Sequence, residues 1–82
     1  MADLRNDLYR RLRTVLADSL GAGEDEITWD TNVYDDLNAD RLEFHDEVIP
    51  LIEEQFDLKI DDTDVPDLTT VRELVEYLVE NT

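Results

Sequence analysis

An all-α domain is what this sequence predicts: a small up-and-down four-helix bundle of three main helices and one short one, with a long first loop. Three observations lead there. Apolar residues recur at three- and four-residue steps in three separate stretches. Helix stops and starts fall between them, with glycines after the first stretch and capping side chains before the other two. The 82 residues suit one domain, and the apolar fraction of 41% is periodic, which argues against disorder.

The first helix follows from Leu4, Leu8, Leu12, Val15, Leu16 and Leu20, beginning at Asp3, with Arg5, Arg10, Arg11 and Arg13 on other faces. Gly21 and Gly23 end it by accepting left-handed dihedrals. Gly21 to Asp36 reads as a long ordered loop anchored by Ile27, Trp29, Val33 and Tyr34, with Trp29 packed and its N–H at the edge. The second helix is predicted from about Asp40 to Phe56, with Asp40 as N-cap and Glu43 completing a reciprocal cap. Its core face is Leu42, Val48, Ile49, Ile52 and Phe56. Pro50 falls inside it, where the ring removes a hydrogen bond and meets the carbonyl of Asp46. A kink or π-bulge is therefore predicted between Phe44 and Pro50.

Asp57 to Asp67 forms a second loop, with Leu58 and Ile60 turned inward and a short helical turn stopped by Pro66. The last helix opens with a capping box, Thr70 to Glu73, and buries Val71, Leu74, Val75, Leu78 and Val79. It is expected to fray at Asn81 and Thr82.

Charge and composition narrow the chemistry. The net charge is -16, and residues 21 to 82 carry only three of the seven basic residues against twenty of the twenty-three acids. Such a surface repels nucleic acid and anionic lipid and attracts basic protein patches. With no cysteine, the chain lacks disulfides and thiolate chemistry. Charges interrupt every apolar run near Met1, so neither a signal peptide nor a membrane span is expected, and the expected setting is a monomer in the cytoplasm.

No glycine-rich phosphate loop or metal-ligand set is present, nor a nucleophile paired with a base, so an enzyme is not expected. The lone His45 is given no catalytic role and no ordered carboxylate partner, though acidic neighbours favour its charged form. Asp62, Thr63, Asp64 and Glu73 mimic part of a calcium loop, but Pro66 and Asp67 break the pattern, and no metal is expected.

The stretch Leu37-Asn38-Ala39-Asp40-Arg41-Leu42 resembles the acyl carrier protein family, whose loop ends in Leu-Gly-Ala-Asp-Ser-Leu. The likeness continues through Phe56-Asp57, Ile60, Val65, Leu68 and Thr69-Thr70-Val71, essentially to the end of the chain. In that family the serine carries a phosphopantetheine arm; here Arg41 occupies its position. The resemblance thus implies a non-catalytic docking or regulatory partner of acyl-transfer, fatty-acid or polyketide-type enzymes, with 4'-phosphopantetheine not expected and no cofactor. An acyl carrier with an altered attachment site, or a protein holding a fatty acyl chain non-covalently, stands as the alternative. By the same resemblance, Asp40, Arg41, Leu42, Glu43, Glu47, Glu53, Glu54 and Ile60 would meet the basic surface of a partner enzyme. Arg41, disfavoured by the helix dipole, is expected to lean outward toward Asp36, Asp40 or Glu43.

Overall fold

In the computed structural model, which describes residues 3–81, the apolar spacing becomes helices joined by long loops. Helix α1 spans Leu4–Leu20; the Asp3 carboxylate accepts from the Arg5 N–H, and Gly21 closes the helix at φ 68°. Only a left-handed residue ends the helix in this way, so the first glycine is the one the turn requires. Gly23, also expected to be left-handed, instead has φ -76° and starts the 3-10 turn Glu24–Glu26.

The second predicted helix forms as one continuous rod with a change of pitch. It comprises α2 (Arg41–Glu43), a π-helical turn (Phe44–Val48) and α3 (Ile49–Phe56). Across the π turn the Ile49 N–H donates to the carbonyl of Phe44, five residues back. Pro50 follows directly and has no N–H to offer the ordinary register, so the wide turn falls where the regular ladder is already broken. The bulge predicted from Pro50 is thus present. Asp57, at φ 53°, caps α3.

The short third helix is a 3-10 turn, Val65–Asp67. Pro66, expected to stop it, sits inside it near its start, where a missing N–H costs nothing. The last helix, α4, spans Val71–Asn81. Its capping box forms as predicted: the Glu73 N–H donates to Thr70 Oγ1 at 3.2 Å, and Glu73 Oε1 accepts from the Thr70 N–H at 3.1 Å. The Asn81 amide bonds the Tyr77 carbonyl at 2.7 Å, and Thr82 lies outside the described residues.

Helix α1 packs chiefly on α4, and more lightly on α3. Leu8, Leu12 and Leu16 meet Phe44, Val48, Ile52, Leu74, Val75 and Leu78 in one buried core. Of the apolar face assigned to α4, Val79 is only partly buried. Leu42, assigned to the core face of the second helix, is instead 74% exposed. Its position before the π turn explains this, since the extra residue rotates everything upstream relative to Ile49 and Ile52. Phe44, fully buried, takes the core position.

The long first loop is pinned in its middle to both α1 and α4. Trp29 stacks on Tyr9 of α1 with ring centroids 4.3 Å apart, as a packed anchor should. Arg13 lies over the ring of Tyr9, and Arg72 over that of Trp29, at 5.4 and 5.6 Å. The Trp29 carbonyl accepts from the Arg72 N–H and the Thr31 carbonyl from the Val71 N–H, so loop oxygens satisfy the first free donors of α4. No helix of the described residues is long and apolar enough to cross a membrane.

Candidate docking and attachment site

The start of α2 is built by a loop that turns sharply and a carboxylate that stops it. Asn38 takes φ 58°, a left-handed conformation that asparagine tolerates better than most side chains. The Ala39 N–H then bonds the Val33 carbonyl at 3.0 Å, tying the turn to the loop's buried anchor. Asp40 Oδ1 accepts from the N–H groups of Leu42 and Glu43 at 2.9 and 3.3 Å. Only this half of the expected reciprocal cap forms among the described residues; Glu43 stays exposed.

Arg41 does not lean on a neighbouring carboxylate. Its guanidinium lies 4.7 Å above the ring of Tyr34, and that ring meets Phe44 edge-on with centroids 5.5 Å apart. Asp40 and Asp36 are each committed to backbone amides, and the tyrosine face offers the cation a negative quadrupole. Burial raises the Tyr34 hydroxyl above its usual pKa, and the Arg41 charge opposes that shift. The result is a three-tier stack, Phe44 in the core, Tyr34 at the boundary and Arg41 outside.

The other residues assigned to partner contact divide into two groups. Asp40, Leu42, Glu43, Glu47 and Glu54 are exposed along or beside the rod. Glu53 and Ile60 are not free in the same way. Ile60 is 4% exposed, and its N–H donates to Glu53 Oε2 at 2.7 Å. This pair fastens the second loop to α3, a role that neither spacing nor charge had shown.

His45 also has more company than its sequence neighbours implied. Nδ1 lies 3.2 Å from Asp46 and Nε2 3.1 Å from Asp62, so the imidazole does have ordered carboxylates beside it. No group of three or more potential metal ligands occurs among the described residues. Between the rod and α4 the space is occupied by Phe44, Val48, Ile52, Leu74, Val75 and Leu78, each at most 2% exposed. A shallow hollow of about 160 Å³ lies instead between α1 and α3, lined by Thr14, Val15, Asp18, Ser19, Leu51 and Gln55.

A helical bundle with a long pinned loop and an acid-capped second helix is the architecture of a carrier domain, and comparison with known proteins agrees. The family described as "Phosphopantetheine attachment site" matches residues 10–78. Acyl carrier proteins of Clostridium perfringens strains SM101 and 13 are each 39% identical over 75 residues, covering 92% of this chain and 97% of the relative. The solved acyl carrier protein of Enterococcus faecalis superposes with a TM-score of 0.79 at 28% identity, covering 95% of this chain and 98% of that one. This chain belongs to the acyl carrier protein family, and is a carrier-type protein rather than a catalyst.

That membership corrects one expectation. The absence of 4'-phosphopantetheine was inferred from Arg41 alone, whereas the matching family is defined by the attachment site, and the relatives are named simply as acyl carrier proteins. The prosthetic group is therefore what the family implies for this chain. The residues at the start of α2 do not fit a phosphodiester link, because Asp40, Arg41, Leu42 and Glu43 offer no hydroxyl there.

Proposed function

We propose that this chain serves acyl transfer as a docking protein, read by the basic surface of a fatty-acid or polyketide-type enzyme, with Arg41 standing where the family carries its serine. The observation that supports this reading is the helix start itself: exposed Asp40, Leu42 and Glu43 surround a guanidinium stacked on Tyr34. Acyl carriers present a covalently held chain at this point. A guanidinium has no oxygen to esterify, so position 41 is not an attachment point here. The carboxylates of Asp40, Glu43, Glu47 and Glu54 still favour a cationic partner and raise its rate of encounter. Leu42, exposed beside those carboxylates, adds an apolar contact, and Arg41 sets one point where the partner must offer an acceptor rather than a cation. The working form is a cytoplasmic monomer.

Position 41 is tested by coexpressing the wild-type chain and Arg41→Ser with a broad phosphopantetheinyl transferase, then mapping peptides by mass. The expected result is an arm at position 41 in Arg41→Ser and none at that position in the wild type. Mapping also locates an arm held on any other residue. A folded Arg41→Ser that takes no arm at position 41 overturns the equivalence with the family's serine.

A further inference from the structure

His45 sits in the π turn, and both of its ring nitrogens face carboxylate oxygens. Nδ1 is 3.2 Å from Asp46 Oδ1 in the same turn. Nε2 is 3.1 Å from Asp62 Oδ1, seventeen residues along the chain in the loop after α3. Asp46 and Asp62 are the charged groups that face the ring, one from its own turn and one from the loop packed against it. A neutral imidazole has one N–H and can donate to only one of them; the other nitrogen would aim its lone pair at a carboxylate oxygen. Two acceptors on opposite edges are satisfied together only by the imidazolium.

We infer that His45 is a protonation-controlled strap between the π turn and the loop at Asp62, closed while the ring holds both protons and released at the Asp62 end when one leaves. Nearby groups leave the strap to work on its own. The Asp61 carboxylate is taken by the N–H and hydroxyl of Thr63, at 2.9 and 2.7 Å. The Asp61 N–H donates to the Tyr77 hydroxyl, and the loop is also tied to the rod near its start, where the Leu58 N–H donates to the Glu53 carbonyl and the Ile60 N–H to the Glu53 carboxylate. The hydrogen bond to Asp46 chiefly raises the His45 pKa; loss of hydration opposes it, and Asp62 reinforces it. With the folded pKa raised, the strap's contribution is complete below the ordinary imidazole range and is lost as pH rises through the folded value.

The test is an NMR titration of the full chain alongside Asp62→Asn and His45→Ala, with amide exchange measured at matched pH. Wild-type His45 should titrate above an unhindered imidazole, and Asp62→Asn should bring it down. At about pH 5, where imidazole is charged, the amides of Asp62 and Thr63 should exchange about twofold more slowly in the wild type than in His45→Ala. The difference should vanish at about pH 9. An unchanged His45 titration in Asp62→Asn, or equal loop protection in wild type and His45→Ala at the lower pH, overturns the strap.

Discussion

Two opposing effects meet at Arg41, and a double-mutant cycle with Tyr34 separates them. The cation over the Tyr34 ring, 4.7 Å from its centroid, is an exposed cation–π contact worth about 0.5–1 kcal/mol. The same charge lies at the positive end of a helix, which costs about 0.3–1 kcal/mol. Arg41→Ala removes both, so its net effect on stability should be within about 0.5 kcal/mol of zero. Tyr34→Leu removes the cation–π contact and the edge-on contact with Phe44, a loss of about 1–2.5 kcal/mol. In the double variant the cation–π loss is counted once, leaving a coupling of about 0.5–1 kcal/mol. Urea titrations followed by far-ultraviolet circular dichroism, at fixed ionic strength, measure all four corners. A coupling indistinguishable from zero would refute the stack, and with it the account of why Arg41 turns from the nearby acids.

Two further outcomes follow from the same packing. Phe44→Ala opens a cavity at a fully buried position and should cost about 3–5 kcal/mol, read as a lower urea midpoint; a loss below about 1 kcal/mol would mean the π turn repacks freely. At Glu73, burial alone would raise the pKa, but hydrogen bonds from Thr69 and Thr70 outweigh it and hold the carboxyl below its usual value. Its contribution is present above the unfolded carboxylate pKa and fades as pH falls through the lower folded value. Thr70→Ala should cost about 0.5–2 kcal/mol at neutral pH and flatten that acid-side loss; an acid profile identical to the wild type would contradict the assignment.

Local rules made most of the fold legible. The Thr70 to Glu73 box, the Gly21 stop and the break at Pro50 each involve residues close in sequence, whose geometry a pattern can express. Leu42 escaped because helical spacing assumes a constant pitch, and one π turn shifts the phase of everything before it. Docking residues were harder to separate. Glu53 and Glu54 are indistinguishable as letters, yet one clasps the Ile60 amide and the other faces water. The Asp62 partner of His45 depends on a loop returning across seventeen residues, for which no local signal exists. In Arg41, chemistry was legible but posture was not, because the aromatic face it prefers comes from the preceding loop. Arg41 shows what one position lacks, whereas the prosthetic group is implied by a family match that runs over residues 10–78.

The two carbonyls that loop residues Trp29 and Thr31 lend to Arg72 and Val71 make the first half of the chain a component of the final helix. Each portion leans on the other: a nascent chain lacking its last dozen residues would have no amides to donate to those oxygens, and a C-terminal peptide starting at Thr69 would keep its Thr70 cap but lose these two acceptors. Closing this circuit carries the entropy cost of bringing distant segments of the chain together. Shortening the protein from its C-terminal side should therefore loosen the distant Trp29 region along with the missing turn.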